Sequence, residues 1–102
     1  MFQTRQLTKV FKALSDNTRI DILRHVTKED EIACQELMKR FPLSQPTMSH
    51  HFNKLVNAGI LNNRRDGVLW FYTVNTDYLS KLGIDIEKIV AKTTNTKKGG
   101  AK

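Results

Sequence analysis

The stretch PLSQPTMSHHFNKLVNAGIL, residues 42–61, has the signals of a helix with a clear start and stop. Ser44 is a good N-cap, and Pro46 in the first turn loses no helical hydrogen bond there. Gly59 is a good C-terminal stop, because glycine adopts the left-handed conformation without strain. One face of the helix is apolar at helical spacing and consists of Met48, Phe52, Leu55 and Val56. The opposite face is polar, which a helix that only packs a core does not need.

The polar face of this helix suits a partner rich in hydrogen-bonding groups. Gln pairs with adenine through two hydrogen bonds, and Ser and Thr hydroxyls reach bases or phosphates. The side chains on this face are Gln45, Thr47, Ser49, His50, Asn53 and Asn57. The alternative is that these polar groups are simply solvated. His51 lies beside the apolar row, so we expect a half-buried, hydrogen-bonded histidine there and not a DNA contact.

Three helices are predicted before this one. TRQLTKVFKAL at 4–14, TRIDILRHV at 18–26 and IACQELMKRF at 32–41 each carry apolar residues at helical spacing. A charged turn, residues 28–31, separates the second helix from the third. Pro42 ends the third helix, because the residue before a proline is disfavoured in helical geometry. The short turn between the third and fourth helices is typical of a helix-turn-helix.

A β-hairpin is predicted within ILNNRRDGVLWFYTV at 60–74. Asp-Gly at 66–67 is a strong two-residue hairpin signal between β-branched and aromatic residues, and it places two arginines at the tip. A last helix is predicted from residue 75 or 76 to about 91, with Gly83 as a weak point. The expected fold is mainly α with a small β-hairpin: a winged helix-turn-helix of five helices plus a two-stranded wing.

The composition favours one small domain with a polyanionic partner. The chain has 102 residues and a net charge of +7, from 17 Lys and Arg against 10 Asp and Glu. An anionic membrane is disfavoured, because the basic tail has no apolar anchor and no apolar run approaches the ~18 residues of a span. We assign 1–92 to a DNA-binding and dimerisation domain and 93–102 to a disordered basic tail. One cysteine and no signal pattern favour a cytoplasmic protein.

The predicted partner is double-stranded DNA. A helix-turn-helix presents its second helix to the major groove, with the N-terminal residues nearest the base edges. The candidates for phosphate contacts are Lys54, Lys39, Arg40 and the helix N-terminus. The arginines of the hairpin reach a minor groove or the backbone. The full set of predicted DNA-binding residues is Ser44, Gln45, Thr47, Ser49, His50, Asn53, Lys54, Arg64 and Arg65.

Three segments resemble the ArsR/SmtB family of bacterial winged helix-turn-helix repressors. They are FKALSDNTRIDIL at 11–23, LSQPTMSHHFNKLVNAGIL at 43–61 and RRDGVLWFYTVN at 64–75. The first resembles the pattern ALSDPTRLRIL, with Asn17 where proline is usual, and the second resembles LSQSTVSHHLKVLREAGLV. The resemblance covers roughly residues 7–75, and the joint order and spacing of the segments make it specific.

The resemblance implies a homodimeric transcriptional repressor whose subunits meet through their first and last helices. It also implies an imperfect inverted-repeat operator, with one recognition helix in each successive major groove. The residues agree, because both helices carry apolar rows that a small core does not need in full. The candidates for the subunit interface are Leu7, Val10, Phe11, Leu82, Ile86 and Ile89. The alternative is that these rows serve only the core of one subunit.

The metal sites that the resemblance implies are not present in the sequence. The thiolate site resembles ELCVC, but here EIACQ at 31–35 puts Ala33 and Gln35 at the ligand positions and Cys34 between them. One thiolate makes neither a three-coordinate arsenic or antimony site nor a closed zinc site. The Asp, His and Glu site of the last helix lacks its histidine in TDYLSKLGIDIEKIV, 76–90. We expect no cofactor and no metal at these sites, and a His and Asp site between subunits stays open.

The single cysteine leaves two interpretations open. Cys34 is either a small apolar filler near the third helix or a thiol sensor of the repressor. If Ala33 is the N-cap, the helix dipole favours the thiolate, but the chain has no resolving cysteine. An enzyme is not expected, because there is no Gly-rich phosphate loop, no paired acid motif and no local His or Asp partner for the thiol. The remaining alternative is a winged-helix module that binds protein, which the basic hairpin and polar helix disfavour.

Overall fold

The computed structural model describes residues 4–90 of the chain. Its helices and strands are α1 (Thr4–Leu14), α2 (Asn17–Glu29), β1 (Ile32–Ala33), α3 (Cys34–Lys39), α4 (Gln45–Asn57), β2 (Leu61–Asp66), β3 (Leu69–Val74) and α5 (Thr76–Lys81). A further helical segment, α6, is described over residues 86–90. The predicted winged helix-turn-helix class is confirmed. The predicted tail at 93–102 lies outside the described residues, as does the domain boundary at 92.

Side-chain caps fix where α2, α4 and α5 begin. Asp16 accepts a hydrogen bond from the Arg19 amide at 3.0 Å at the start of α2, and Asn75 accepts one from the Tyr78 amide at 3.3 Å at the start of α5. Ser44 accepts a hydrogen bond from the Thr47 amide at 3.3 Å at the start of α4, as its sequence position predicted. Each cap satisfies one N–H that the first helical turn leaves unpaired.

The sheet has three strands, where the sequence predicted a two-stranded wing. The strand order is β1-β3-β2, and Ile32 and Ala33 of β1 pair antiparallel with Tyr72 and Phe71. The third helix was predicted from residue 32 to 41, but it begins at Cys34, because the two residues before it form β1, and it ends at Lys39. Pairing with β3 lets Ile32 bury its side chain to 5% exposure while its backbone groups find partners.

The hairpin turn is displaced by one residue from its predicted position. Asp66 pairs with Leu69, so the two loop residues are Gly67 and Val68. Gly67 has φ 67°, which suits a two-residue loop with glycine at its first position. The two arginines consequently stand within β2, opposite Phe71 and Trp70, and not at the tip as predicted.

The predicted last helix is divided in two at Gly83. That glycine has φ 86°, its N–H donates to the Ser80 carbonyl at 2.9 Å, and the next N–H donates to the Leu79 carbonyl at 2.9 Å. This pair of hydrogen bonds is a Schellman stop, which ends α5. Asp85 then caps α6 by accepting from the Lys88 amide at 3.2 Å. The same stop ends α4 at Gly59, where an added Cβ would lie 2.9 Å from the Tyr78 ring.

A single hydrophobic core joins all the helices to the sheet, and within residues 4–90 no polar or charged residue is fully buried. Val10 and Ile86, two of the six predicted interface residues, are 0% and 2% exposed, so they pack inside the protomer. Ile86 lies beyond the break at Gly83, at the start of α6. No helix within the described range has the length and apolarity needed to cross a membrane.

Candidate nucleic-acid interface

Helix α4 lies with one face in the core and the other in solvent. Met48, Phe52 and Leu55 are buried, while Val56 is half-buried. The polar positions predicted to bind DNA remain at the surface, with Ser49 half-buried and the others exposed: Ser44, Gln45, Thr47, His50, Asn53 and Lys54. The fold thus leaves all seven predicted residues accessible, six of them on α4 and Ser44 as its N-cap.

Most of these polar side chains have no competing partner within the described part of the chain. Gln45, Asn53 and Lys54 make no side-chain hydrogen bond or ion pair there. Ser44 and Thr47 are linked, since the Ser44 hydroxyl donates to Thr47 Oγ1 at 2.9 Å while it caps the helix. The free amide and ammonium groups are therefore available to an external partner at no cost in internal hydrogen bonds.

His51 is a half-buried, hydrogen-bonded histidine, as the sequence predicted. Its ring is half-buried, with Nδ1 3.2 Å from Arg19 Nη1 and 3.8 Å from Asp16 Oδ2. Burial lowers the pKa of His51, and Arg19 lowers it further, while Asp16 partly offsets both. Because the guanidinium donates to Nδ1, the neutral ring carries its hydrogen on Nε2. His50 differs from it, with an exposed ring whose centroid lies 5.8 Å from that of His51.

The hairpin arginines are already engaged inside the chain. Arg64 donates to both carboxylate oxygens of Glu31, at 2.7 and 2.9 Å, and its guanidinium lies 4.6 Å from the centre of the Phe71 ring. The hydrogen bond from Arg64 lowers the pKa of Glu31. Arg65 donates to the Gly67 carbonyl at 2.9 Å and lies 5.7 Å from the Trp70 ring centre. Sequence reasoning missed Glu31, because no local signal links residues 33 positions apart.

The two basic residues at the end of α3 also differ. Lys39 is exposed and unpaired within the described residues. Arg40 is 3.0 Å from a Glu29 carboxylate oxygen and 3.3 Å from His25 Nδ1. Burial lowers the pKa of His25, and the charge of Arg40 adds to that effect. Of the two candidate phosphate contacts, Lys39 is thus the more accessible.

Sequence comparison decides the family. A helix-turn-helix domain family matches residues 14–64. The chain is 32% identical over 85 residues to the arsenical resistance operon repressor of Staphylococcus xylosus, covering 83% of this chain and 81% of that one. It is 36% identical over 73 residues to the transcriptional repressor SdpR of Bacillus subtilis, covering 72% and 80% of the two chains. This chain belongs to the ArsR/SmtB family of winged helix-turn-helix transcriptional repressors.

A solved structure supports the same fold for this ArsR-family chain. The solution structure of the homodimeric winged helix-turn-helix DNA-binding domain Mb0332 from Mycobacterium bovis superimposes with a TM-score of 0.71. The match covers 90% of this chain and 81% of that one at 22% sequence identity. The arrangement of helices and wing is therefore shared although few residues are identical.

The ArsR-family metal positions hold no cluster of ligands here. Within residues 4–90, no group of three His, Cys, Asp or Glu side chains is placed to hold a metal ion. Cys34 is half-buried against the core, and Ala33 is the N-cap of α3, which is the condition that the sensor interpretation required. Burial nevertheless raises the pKa of the Cys34 thiol, which a hydrogen bond with Tyr72 only partly offsets. The structure therefore favours the packing interpretation of this cysteine over the sensor.

Proposed function

We propose that this ArsR-family chain represses transcription by binding an inverted-repeat operator as a homodimer. The observation that carries the proposal is the polar side of α4, which is exposed and mostly without internal partners. This side faces outward from a protomer with a net charge of +7. The role is binding and not catalysis, and its place is the cytoplasm, where bacterial DNA is found.

The N-terminal half of α4 is proposed to read base edges in the major groove. Gln45, at the first position of the helix, would pair with an adenine through its amide. Thr47, Ser49, His50 and Asn53 supply further donors and acceptors along the same helix. The helix N-terminus itself adds a positive partial charge that favours a nearby phosphate.

The phosphate backbone is the proposed partner of the cations around α4. Lys54 and Lys39 are exposed and unpaired within the described residues, so they exchange only water and counterions for a phosphate. Arg64 and Arg65 stand on the wing beside aromatic rings, which hold their guanidinium groups at the surface. We place these two arginines against the backbone or an adjacent minor groove.

The subunit interface is proposed to use the apolar surface that the protomer leaves exposed on α1 and α6. Phe11 on α1 is 52% exposed and Ile89 on α6 is 48% exposed, while Leu7 on α1 and Leu82, the C-cap of α5, are half-buried. These are the four of the six predicted interface residues that the protomer does not bury in its own core. The homodimeric Mycobacterium bovis domain has the same fold, which supports this assembly.

Selection of bound duplexes from a random pool tests the proposal directly. We expect a two-fold repeat whose half-sites are about one helical turn apart, since two recognition helices of a dimer enter successive major grooves. A dimer that selects no sequence would contradict specific repression. A folded dimer that ignores duplex DNA in dilute buffer would favour a protein partner.

The variant Gln45→Ala tests which residues read the bases. We expect a loss of about 1–3 kcal/mol in specific binding and a relaxed preference at one base pair of each half-site. Gln35→Ala is the matched control, because Gln35 is an exposed glutamine on α3 and not on α4. Electrophoretic mobility shifts on the selected operator and on single-base variants measure both effects. Equal behaviour of the two variants would remove Gln45 from the reading face.

A further inference from the structure

A basic cleft opens where α1, α2 and α4 pack against one another. It has a volume of about 210 Å³. The residues that line it are Lys9, Lys12, Ala13, Arg19, Lys54 and Asn57. Four of these six residues carry a positive charge and none carries a negative one. Only Lys54 belongs to the interface already described, so the cleft extends the positive surface onto α1 and α2.

Arg19 forms a fixed wall of the basic cleft. Its Nε donates to the Ala13 carbonyl at 2.7 Å, and its Nη1 lies 3.2 Å from His51 Nδ1. These two contacts hold the guanidinium plane, while the remaining N–H groups of the fork have no protein acceptor in the described residues. A guanidinium held in this way has little rotational freedom left to lose when it binds an oxyanion.

The lysines of the basic cleft have no carboxylate to balance them. Lys9, Lys12 and Lys54 are exposed and form no ion pair within residues 4–90. The Asp16 carboxylate caps α2 by accepting the Arg19 amide at 3.0 Å, and it is not among the residues that line the cleft. Like charges gathered around one cavity repel one another, and an anion placed among them relieves that repulsion.

We propose that the basic cleft is a phosphate-binding site, distinct from the base-reading end of α4. A phosphate group presents several acceptor oxygens, which suit one guanidinium fork together with mobile ammonium groups. Lys54 lies seven residues after Thr47 on α4, two helical turns along the same side. A duplex that follows this side of the helix would bring its backbone to the cleft, and the cleft is equally open to a free phosphate.

The double variant Lys9→Gln, Lys12→Gln tests the site against a control of equal charge. Lys28→Gln, Lys81→Gln also removes two exposed lysines, from the ends of α2 and α5. If the phosphate comes from DNA, the slope of log affinity against log salt falls by about 1 for each cleft phosphate lost, and it stays steeper in the control. This arm rests on the proposed function.

Titration of the free protein with inorganic phosphate provides the second arm. The side-chain Nε–H resonance of Arg19 is followed at constant ionic strength, with chloride as the reference anion. A saturable shift with phosphate, lost in the cleft variant and kept in the control, assigns the site to a free phosphate. A shift produced by duplex DNA alone assigns it to the backbone.

The salt-slope and phosphate-titration experiments distinguish failure of the cleft proposal from failure of the proposed function. Wild-type protein that binds duplex DNA, with equal salt slopes in both double variants and no saturable phosphate shift, overturns the cleft and leaves the repressor intact. Wild-type protein that binds no duplex overturns the repressor, and the phosphate titration then decides the cleft by itself.

Discussion

Helix α4 and the wing carry the two sets of side chains assigned to DNA, and they differ in what those side chains already contact. Gln45, Asn53 and Lys54 on α4 have no internal partner in the described residues. On the wing, Arg64 is paired with Glu31 and Arg65 donates to the chain itself. The helix therefore offers unused hydrogen-bonding groups, whereas the wing offers groups that are held in place but occupied.

The difference has opposite energetic consequences for binding. Ordering a free side chain costs about 0.5–1.5 kcal/mol of conformational entropy, but no existing contact is lost. A paired arginine is already ordered, but it must exchange its carboxylate for a phosphate or share its donors between the two. Base selectivity is thus expected to reside in α4, and the wing is expected to adjust the general affinity.

The largest effect is expected from removing the side chain that packs α4 against the strand β3 of the wing. Phe52 of α4 is 2% exposed, and its ring centroid lies 4.9 Å from that of Tyr72 on β3. Phe52→Ala should lower the free energy of unfolding by about 3–5 kcal/mol, because it leaves a cavity between the two regions. Urea denaturation measures the loss. Val68→Ala, at a position 85% exposed on the hairpin loop, should change it by less than about 0.5 kcal/mol.

A smaller effect is expected from freeing the wing arginine. Glu31→Gln removes the negative charge that pairs with Arg64 and leaves at most one neutral acceptor, so the wing would resemble α4 in having a cation without a counter-charge. We expect a few-fold higher affinity for duplexes of any sequence, with base preference unchanged, as measured by fluorescence anisotropy. Glu87→Gln removes an equal charge from α6 and serves as the control. Weaker binding in Glu31→Gln alone would mean that Glu31 positions Arg64 for DNA, contrary to the comparison.

The smallest effect is expected from pH, and we expect it to arise from the half-buried His51 of α4. Burial lowers the pKa of His51 from its ordinary value of 6.5, so between the two values the unfolded chain binds more protons than the folded one. The contribution of His51 to the free energy of unfolding is therefore fully present above pH 6.5, and it is lost as the pH is lowered through the folded pKa. His25 contributes in the same direction.

Urea denaturation at pH 7.5 and at pH 5 measures this pH effect. In His51→Gln the loss of stability on acidification should be smaller than in the wild type. His50→Gln removes an exposed ring whose centroid lies 5.8 Å from that of His51, and it should reduce the loss less than His51→Gln does. A loss of equal size in the His51 variant would show that its buried ring does not couple to folding.

Features predicted correctly depend on short-range chemistry. The cap at Ser44 and the stop at Gly59 are set by residues within one turn, and the spacing of Met48 and Phe52 follows from the helical period. Gly83 carries the same local signal as Gly59, but the apolar residues beyond it continue at helical spacing and concealed the break. Whether a glycine ends a helix depends on what the following residues can bury.

The sequence by itself determined the helix-turn-helix, the hairpin and the polar side of α4, because these follow from periodicity, caps and turn residues that act locally. Only the tertiary structure decided the pairing of β1 with β3 and the ion pair between Glu31 and Arg64. It also decided the burial of Ile86 inside the protomer. Partners of this kind stand tens of residues apart along the chain, so no spacing rule links them, and packing of the whole core selects them.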